Sequence, residues 1–307
     1  MSDASTSVEQ GFSPALSAVV VAFNGRAHLA RCLQALAAQG CGSSLEVIVV
    51  AKVSRLSQAA DLPGTCPSVR WIEAPAGQTI PQMRSLGIRH ARGAVVALLE
   101  DDCVPAAGWA AAVLRAHQGP DIAVGGAVEP GAYHRSLDWA VYFCEYARFM
   151  LPLPEHDTWV LPGNNVSYKR EAVAALNDTD GLEEVFVHGS WREQGRPMKA
   201  DPGIVVSNEN SWTLAHVSSV PFHHARAFAG KRLAGASLSR RLIYAVSAGA
   251  LPVVHTGRII ARVARRPRRL LELARAFAWV ALFGLSWSAG ECVGYACGPG
   301  LSRQRWS

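Results

Sequence analysis

The chain has 307 residues, half of them hydrophobic, which is enough for a sizeable core in one large domain or in a domain with an appendage. Its formal charge is +6, but fourteen of the thirty basic residues and only two of the 24 acidic ones lie from His223 onward. This basic, apolar tail favours a domain resting on an anionic membrane over a nucleic-acid-binding protein, because its arginines alternate with aliphatic and aromatic runs and match no nucleic-acid-binding signature.

The seven cysteines are scattered without a CxxC pair, which indicates neither a zinc site nor a disulfide framework. The first fourteen residues, MSDASTSVEQGFSP, are polar and lack the apolar core of a secretory signal. We therefore interpret residues 1–14 as a disordered leader and expect the protein at the cytoplasmic face of a membrane.

Short apolar runs alternate with helical patterns from residue 16 to residue 130. The predicted strands are LSAVVVAFN, LEVIVV, VRWIEAP, AVVALLE and IAVGGAVEP. The predicted helices are GRAHLARCLQALAAQ, IPQMRSLGIRHARG, which ends at Gly93, and AAGWAAAVLRAHQ. This alternation predicts an α/β fold with a parallel sheet, whose ligands bind at the carboxyl ends of the strands. The aromatic-rich stretch 133–161 is less regular and predicts a loop-rich insertion.

The fourth predicted strand ends in three adjacent carboxylates, Glu100, Asp101 and Asp102. Adjacent like charges repel, and a buried unpaired carboxylate is costly. The chain has neither GxGxxG after its first strand nor a Walker A loop, so no glycine loop holds a phosphate. Because hard cations bind carboxylates and bridge phosphate oxygens, the triplet predicts a divalent cation that holds a diphosphate. The alternative is an N-cap cluster for the next helix, with Pro105 in its first turn.

Five stretches resemble, in the family's order, the family 2 glycosyltransferases of the GT-A type. They are VVVAFNGRAHLARCLQAL, EVIVV, MRSLGIRHARGAVVALLEDDCVP, LPGNNVSYKREAV and EEVFVHGSWREQG. The resemblance implies a Rossmann-like, mostly parallel sheet flanked by helices, and sugar transfer from a nucleotide-diphosphate donor with inversion at the anomeric carbon. We expect this domain to span residues 15–235, followed by a membrane-associated helical tail over residues 236–307.

The resemblance assigns roles to the acidic triplet and to the helix before it. Asp102 aligns with the metal ligand, for Mg²⁺ or Mn²⁺, and Glu100 and Asp101 with residues near the donor's ribose and the metal. Arg84 stands where the family has an Arg–Asn pair, with Ser85 in place of the Asn. It would face the donor diphosphate or support the acidic loop; a solvated helix face is the alternative.

The nucleotide base is the least specified part of the donor. By the resemblance, Phe23 and Asn24 pack against it, although a turn at the strand end explains them almost as well. The family's base-reading Asp after the second strand is missing, since Ala51 and Lys52 stand there. The identity of the base is therefore left open.

The stretch LPGNNVSYKREAV resembles the loop and helix that face the acceptor and the donor sugar. Gly163 would allow close backbone approach, and the amides of Asn164 and Asn165 would bind sugar hydroxyls. The alternative is an Asn-rich turn that caps a helix.

Inverting transfer needs a carboxylate that takes the proton of the attacking hydroxyl. In the resembling family this base begins a helix, four residues before a frequent His and eleven before a Gly. His188 and Gly195 at these distances select Glu184 over Glu183. His188 and Arg192 would then orient the base or contact phosphate. The alternative is a pair of acids that favours a helix N-terminus electrostatically.

The segment FHHARAFAGKR resembles a basic, aromatic stretch beside the active-site mouth of related enzymes. His223 or His224 would contact the metal or the diphosphate, and Arg226 would meet lipid phosphate. A surface amphipathic helix is the alternative.

Two apolar segments follow, Leu242–His255 and Ala276–Cys297. The arginines between them form one helical face, and crossing by the first segment would translocate them against the positive-inside rule. They are Arg258, Arg262, Arg265 and Arg269. We therefore expect the first segment in the membrane interface and the second as the one candidate for a crossing. A helical hairpin in the core of a soluble protein is the alternative.

Together these features predict a membrane-associated, metal-dependent inverting glycosyltransferase of the cell envelope. Its donor would be a nucleotide-sugar, its acceptor a lipid-linked or cell-surface polysaccharide, and nucleic acid is not an expected partner. A non-catalytic membrane scaffold that retains the fold is the alternative, prompted by the missing base-reading Asp. A nucleotidyltransferase is disfavoured, because no glycine- and lysine-bearing activation loop follows the first strand.

Overall fold

The computed structural model describes residues 13–40, 42–52, 69–176 and 180–305. Apart from its last two residues, the predicted leader lies outside these ranges. The chain divides into two compact units: residues 1–76, 81–126 and 154–206 form the first, and residues 77–80, 127–153 and 207–307 form the second.

The elements alternate in the order that the apolar pattern predicts. The strands are β1 (Leu16–Ala22), β2 (Leu45–Lys52), β3 (Val69–Ala74), β4 (Val95–Glu100), β5 (Cys103–Pro105), β6 (Ala123–Pro130), β7 (His156–Asp157), β8 (Asn165–Lys169) and β9 (Met198–Asn208). The helices are α1 (Arg26–Ala37), α2 (Ile80–His90), α3 (Trp109–Ala116), α4 (Ser136–Tyr146), α5 (Arg170–Ala174), α6 (Glu184–Glu193), α7 (Ala215–Ser218), α8 (Val220–Arg232), α9 (Leu238–Ser247), α10 (Leu251–Val263) and α11 (Leu270–Cys297).

The described strands form one mixed sheet in the order β3-β2-β1-β4-β8-β6-β9-β5, with β7 beside β9. β3, β2, β1 and β4 pair in parallel, as predicted for apolar runs joined by helices. β8 runs antiparallel to both of its neighbours, β4 and β6. The parallel half has almost wholly buried central strands, which explains why the sequence shows them as continuous apolar runs.

Helix α2 ends at His90, so the prediction that it continues to Gly93 is wrong. A Cβ on Gly93 would lie 2.6 Å from the backbone nitrogen of Ser17, so glycine is required there by close packing and not by a helix end. The Gly93 N–H donates to Ser17 Oγ at 2.8 Å, and Ser17 Oγ donates to Glu46 at 2.6 Å. Glu46 also accepts from Arg92 Nε at 2.8 Å. These bonds join the turn before β4 to the starts of β1 and β2.

The second unit contains a helix, α4, in the stretch predicted to be loop-rich. Five consecutive α4 residues, from Trp139 to Phe143, are buried, so the helix shows no polar face for a sequence pattern to reveal. Tyr133 packs edge-on against Trp139, with ring centroids 5.5 Å apart, and tilts against Trp212 at 5.3 Å. The aromatic residues therefore form the core of this unit.

Among the described residues, two stretches of the second unit are long and apolar enough to cross a membrane: Leu238–Val263, with 26 residues, and Pro267–Cys297, with 31. Length and composition alone are weak evidence for a membrane span, because the core helix of a soluble protein passes the same test. The first stretch is longer than the predicted Leu242–His255, since α9, a short 3₁₀ turn and α10 follow one another directly.

Helix α11 packs closely on α8. A Cβ on Gly290 would lie 2.2 Å from the carbonyl oxygen of Phe222, and one on Gly294 would lie 2.5 Å from that of Arg226. One of its two acids, Glu291, is buried and accepts a hydrogen bond from Trp287 Nε1 at 2.8 Å. Small residues thus let the two helix backbones approach each other.

Candidate functional site

The ends of β1 and β4 meet at the carboxyl edge of the parallel strands, where the two pair as far as Val21 and Glu100. The buried Asp101 accepts the Asn24 backbone N–H and the Asn24 side-chain amide, both at 2.9 Å, and the Gly25 N–H at 3.2 Å. Burial raises the pKa of Asp101 in spite of these bonds. Asp101 therefore fastens the loop after β1 to the end of β4, and its contact with the donor stays a prediction.

Arg84 of α2 bridges two carboxylates that are far apart in the sequence. Its Nη2 donates to Glu100 Oε1 at 2.7 Å, and its Nη1 donates to Glu184 Oε1 at the start of α6. The side chains are 9% exposed for Arg84, 14% for Glu100 and 13% for Glu184, so this is a largely buried ion-pair network. The structure thus joins the acidic triplet to the predicted base.

Burial and charge oppose each other in this network. Burial raises the pKa of Glu184, and the Arg84 guanidinium only partly offsets it. Burial likewise raises the pKa of Glu100, against the same guanidinium. Burial acts to lower the pKa of Arg84, but the carboxylates of Glu184 and Glu100 outweigh it and raise that pKa. A buried carboxylate whose pKa is raised and which faces a fixed cation is a candidate general base.

The two predicted asparagines have different environments. Asn165 Oδ1 accepts from Trp109 Nε1 at 3.0 Å, and its Nδ2 donates to the Ile204 carbonyl at 3.1 Å, so its amide holds neighbouring strands and helices together. Asn164 is 2% exposed, and neither polar atom of its amide has a hydrogen-bond partner among the described residues. An unpaired buried amide is costly, which favours Asn164 as the one that binds a sugar hydroxyl.

Gly163 brings the loop before β8 against the ion-pair network. A Cβ there would lie 2.9 Å from Glu184 Oε1 and 3.3 Å from Arg84 Nη2. Gly163 thus packs closely on this network and is followed directly by Asn164, and its approach to a sugar stays a prediction.

Asp102 was the predicted metal ligand. Its carboxylate is buried and accepts a hydrogen bond from the Cys103 thiol at 3.5 Å. In the part of the chain that the structure describes, no group of three His, Cys, Asp or Glu side chains is placed to hold a metal by itself. A Mg²⁺-type cation is usually held by one or two carboxylates, with waters and substrate phosphates completing its shell. A single buried carboxylate is compatible with a cation held in this way, and metal binding by Asp102 stays a prediction.

Glu183 precedes α6 in extended conformation, and its side chain makes no capping hydrogen bond. His188 is 1% exposed, and its Nε2 lies 2.9 Å from the Tyr168 hydroxyl. Burial lowers the pKa of His188 to about 4, so its ring is neutral at pH 7. Arg192 is exposed and stacks over the Trp159 ring at 5.3 Å. These contacts give His188 a role in packing, and the phosphate contacts of His188 and Arg192 stay predictions.

His224 and Arg226 belong to the second unit, on α8. The His224 ring lies edge-on to Trp287, with centroids 5.2 Å apart, and Arg226 Nε donates to the Gly298 carbonyl at 3.1 Å. Both side chains therefore hold α8 to the C-terminal segment, and their phosphate contacts stay predictions.

The end of β2, where the resembling family has an Asp that contacts the nucleotide base, lacks that Asp. Ala51 is buried and Lys52 partly exposed at the end of β2, and Glu73 of β3 lies beside Ala51 in the parallel register. Phe23 is partly exposed just after β1. Residues 53–68, which follow β2, lie outside the described residues, so the base contact stays a prediction.

Two further residues shape the site and were missed. Burial, together with the charge of the nearby Glu184, raises the pKa of the Tyr168 phenol. Gly181 has φ = 88°, a Cβ there would lie 2.3 Å from Gln82 N, and the adjacent Leu182 donates its N–H to the Pro81 carbonyl at 3.0 Å. A glycine shortly before an acidic pair was the available signal for Gly181, whereas nothing in the sequence marks Tyr168.

The comparisons with known proteins agree with this architecture. A family model described as "Glycosyl transferase family 2" matches residues 17–176. Among solved structures, the chain is similar to the mannosyltransferase PcManGT from Pyrobaculum calidifontis in complex with GDP-Man and Mn²⁺, with a TM-score of 0.57 and 17% identity over 93% of this chain and 87% of that one. At this identity the likeness establishes the fold alone. No curated protein sequence matched the chain.

Proposed function

Because the chain belongs to glycosyl transferase family 2, with a GT-A-like fold, we propose that it is a metal-dependent inverting glycosyltransferase acting on a nucleotide-sugar donor. The observation that carries the proposal is the buried carboxylate of Glu184, held by Arg84 at the carboxyl edge of the parallel strands. Ligands bind at this edge in open α/β sheets.

In the proposed reaction an acceptor hydroxyl attacks the anomeric carbon from the side opposite the diphosphate. A new glycosidic C–O bond forms as the bond to the diphosphate breaks, and the nucleoside diphosphate leaves. The hydroxyl proton passes to the Glu184 carboxylate, which acts as general base. Asn164 orients a sugar through its buried amide, and Asp102 holds the Mg²⁺ or Mn²⁺ that, when bound, offsets the charge of the leaving diphosphate.

We assign the acceptor to the lipid-linked or cell-surface polysaccharide class, with the protein at the cytoplasmic face of the membrane. Large apolar side chains are exposed along α9 and α10, including Val246 at 81% and Val253 at 78%. Arg258 and Arg262 of α10 also lie near Arg148, whose pKa is lowered to about 10 by burial and by these two cations. Apolar side chains flanked by cations favour an anionic bilayer surface.

The catalytic proposal is tested by the release of nucleoside diphosphate from a panel of nucleotide-sugars with Mg²⁺ or Mn²⁺. Glu184→Gln should lower kcat by about 10²- to 10⁴-fold while keeping the donor-induced rise in Tm, because it removes the base and not the donor site. Glu183→Gln, one residue earlier, is the matched control and should retain activity. Full activity of Glu184→Gln would remove the base assignment, and no binding of any nucleotide-sugar would favour a non-catalytic scaffold.

The membrane proposal is tested separately with the full chain and vesicle flotation. The protein should float with anionic vesicles and less with neutral ones, and Arg258→Glu with Arg262→Glu should reduce flotation without changing Tm. Equal flotation with both vesicle types would contradict the role of charge, and no flotation would contradict membrane binding.

A further inference from the structure

The Arg84 guanidinium forms hydrogen bonds with two different carboxylates instead of binding one of them through two bonds. An arginine fork usually binds a single carboxylate through two parallel hydrogen bonds. Here Nη2 reaches Glu100, sixteen residues along the chain, and Nη1 reaches Glu184, a hundred residues along it. The same side chain therefore contacts the end of β4 and the start of α6.

The backbone holds this arrangement from two sides. The Glu184 segment is joined to the start of α2 through the hydrogen bond from Leu182 N–H to the Pro81 carbonyl, 3.0 Å, beside the tightly packed Gly181. On the other side, Gly163 packs against Glu184 Oε1 and Arg84 Nη2. The position of the carboxylate is thus fixed by contacts with two separate parts of the chain, α2 and the loop before β8.

Two contacts of the Glu184 carboxylate fall on the same oxygen, and its own backbone N–H adds a further hydrogen bond. Glu184 Oε1 accepts the Arg84 hydrogen bond and also lies against Gly163. The second oxygen, Oε2, is the one that we assign to the acceptor's proton. A base that is fixed at one oxygen presents the other in a single direction, which is what positioning contributes to catalysis.

We infer that Arg84 is a positioning residue for the base: it fixes Glu184 at Oε1 and couples it to Glu100 at the acidic end of β4. This inference rests on the proposed function of Glu184. It differs from the prediction that Arg84 faces the donor diphosphate, because both Nη atoms are already held by carboxylates.

The charged and titratable groups around Glu184 define the expected pH effect. They are Arg84 on α2, Glu100 on β4, Tyr168 on β8 and Glu183 next to it in the chain. Arg84 is the cation in this set, and burial and Glu183 both raise the pKa of Glu184. Removing Arg84 therefore raises the pKa of the base further, and the acid limb of the rate profile moves to higher pH.

The experiment compares pH profiles of kcat/KM for the full-length protein and its Arg84→Gln and Arg84→Lys variants. We expect the acid limb of Arg84→Gln to move up by about one pH unit or more, with activity recovering at high pH. Arg84→Lys keeps the charge but has one ammonium for two carboxylates, so we expect a smaller shift. Arg89→Gln, on the exposed side of α2, is the matched control and should leave the profile unchanged.

Each outcome bears on a different statement. An equal loss of activity at every pH in Arg84→Gln, with a raised donor KM, would overturn the inference in favour of a phosphate contact. If Arg84→Gln does not fold, an unshifted acid limb in Arg84→Lys with unchanged kcat would overturn it. An active Glu184→Gln would instead overturn the proposed function, so the two failures are distinguishable.

Discussion

Replacing Gly163 by alanine would place a methyl group against the carboxylate of Glu184. The added Cβ would lie 2.9 Å from Oε1 and 3.1 Å from Cδ, whereas ordinary van der Waals contact begins at 3.4 Å. The carboxylate must therefore retreat by roughly half an ångström. A displacement of about 1 Å at a reacting group costs about 10²-fold in rate, so we expect kcat to fall about tenfold, or about 1.4 kcal/mol of transition-state stabilisation.

The same substitution should change stability little. The carboxylate is the end of a flexible side chain that can move, so we expect the free energy of unfolding to change by less than about 1 kcal/mol. Gly189→Ala is the matched control: it lies on the same helix as the base, and a Cβ there would meet nothing within 4 Å. This control should keep wild-type kcat and gain up to about 1 kcal/mol from helix propensity.

The assay combines steady-state nucleotide release with thermal unfolding of both variants. A Gly163→Ala protein with wild-type kcat would refute the placement of the base beneath this glycine. A loss of activity that matches a large fall in Tm would refute the claim that the effect is local.

Three further predictions concern stability. Ser17 and Arg92 lower the pKa of Glu46 although burial opposes them, so the stabilisation from Glu46 is present above its unfolded-state pKa and is lost as the pH falls through the lowered folded-state value. Glu46→Gln should therefore lower the urea midpoint at pH 7, and the difference from wild type should shrink in acid. Gly294→Ala should lower Tm, because its Cβ would meet the backbone of α8, whereas Gly257→Ala has open space and should not. Asp101→Ala removes an acceptor of the part-buried Asn24 and Gly25 amides after β1 and should cost about 1–3 kcal/mol in chemical denaturation.

Sequence patterns predicted the strands that are buried on both faces and the helix that is buried along one face. β1, β2 and β4 have apolar side chains buried on both faces, and α1 buries Leu29, Cys32, Leu33 and Leu36, which its helical spacing indicates. The first half of the sheet, and the place of the acidic triplet at its edge, follow from these signals alone.

The rest depends on contacts between distant parts of the chain. β8 has a polar residue at every second position, yet Asn165 and Ser167 are buried because partners elsewhere in the chain satisfy them. No local pattern reveals such partners, and none reveals that Arg84 lies between Glu100 and Glu184. Helix α4 was missed because a helix that is buried on all sides has no amphipathic pattern in its sequence.

The network at the end of β4 also has an electrostatic consequence for the order of events. Glu100 and Glu184 share one guanidinium, and Asp101 and Asp102 follow Glu100 directly in the chain, so carboxylates outnumber cations at this edge of the sheet. A free nucleoside diphosphate is itself an anion and meets repulsion as it approaches. We therefore expect the donor to enter as its complex with the divalent cation. The negative charge at this edge of the sheet would repel a metal-free nucleotide before the sugar is recognised.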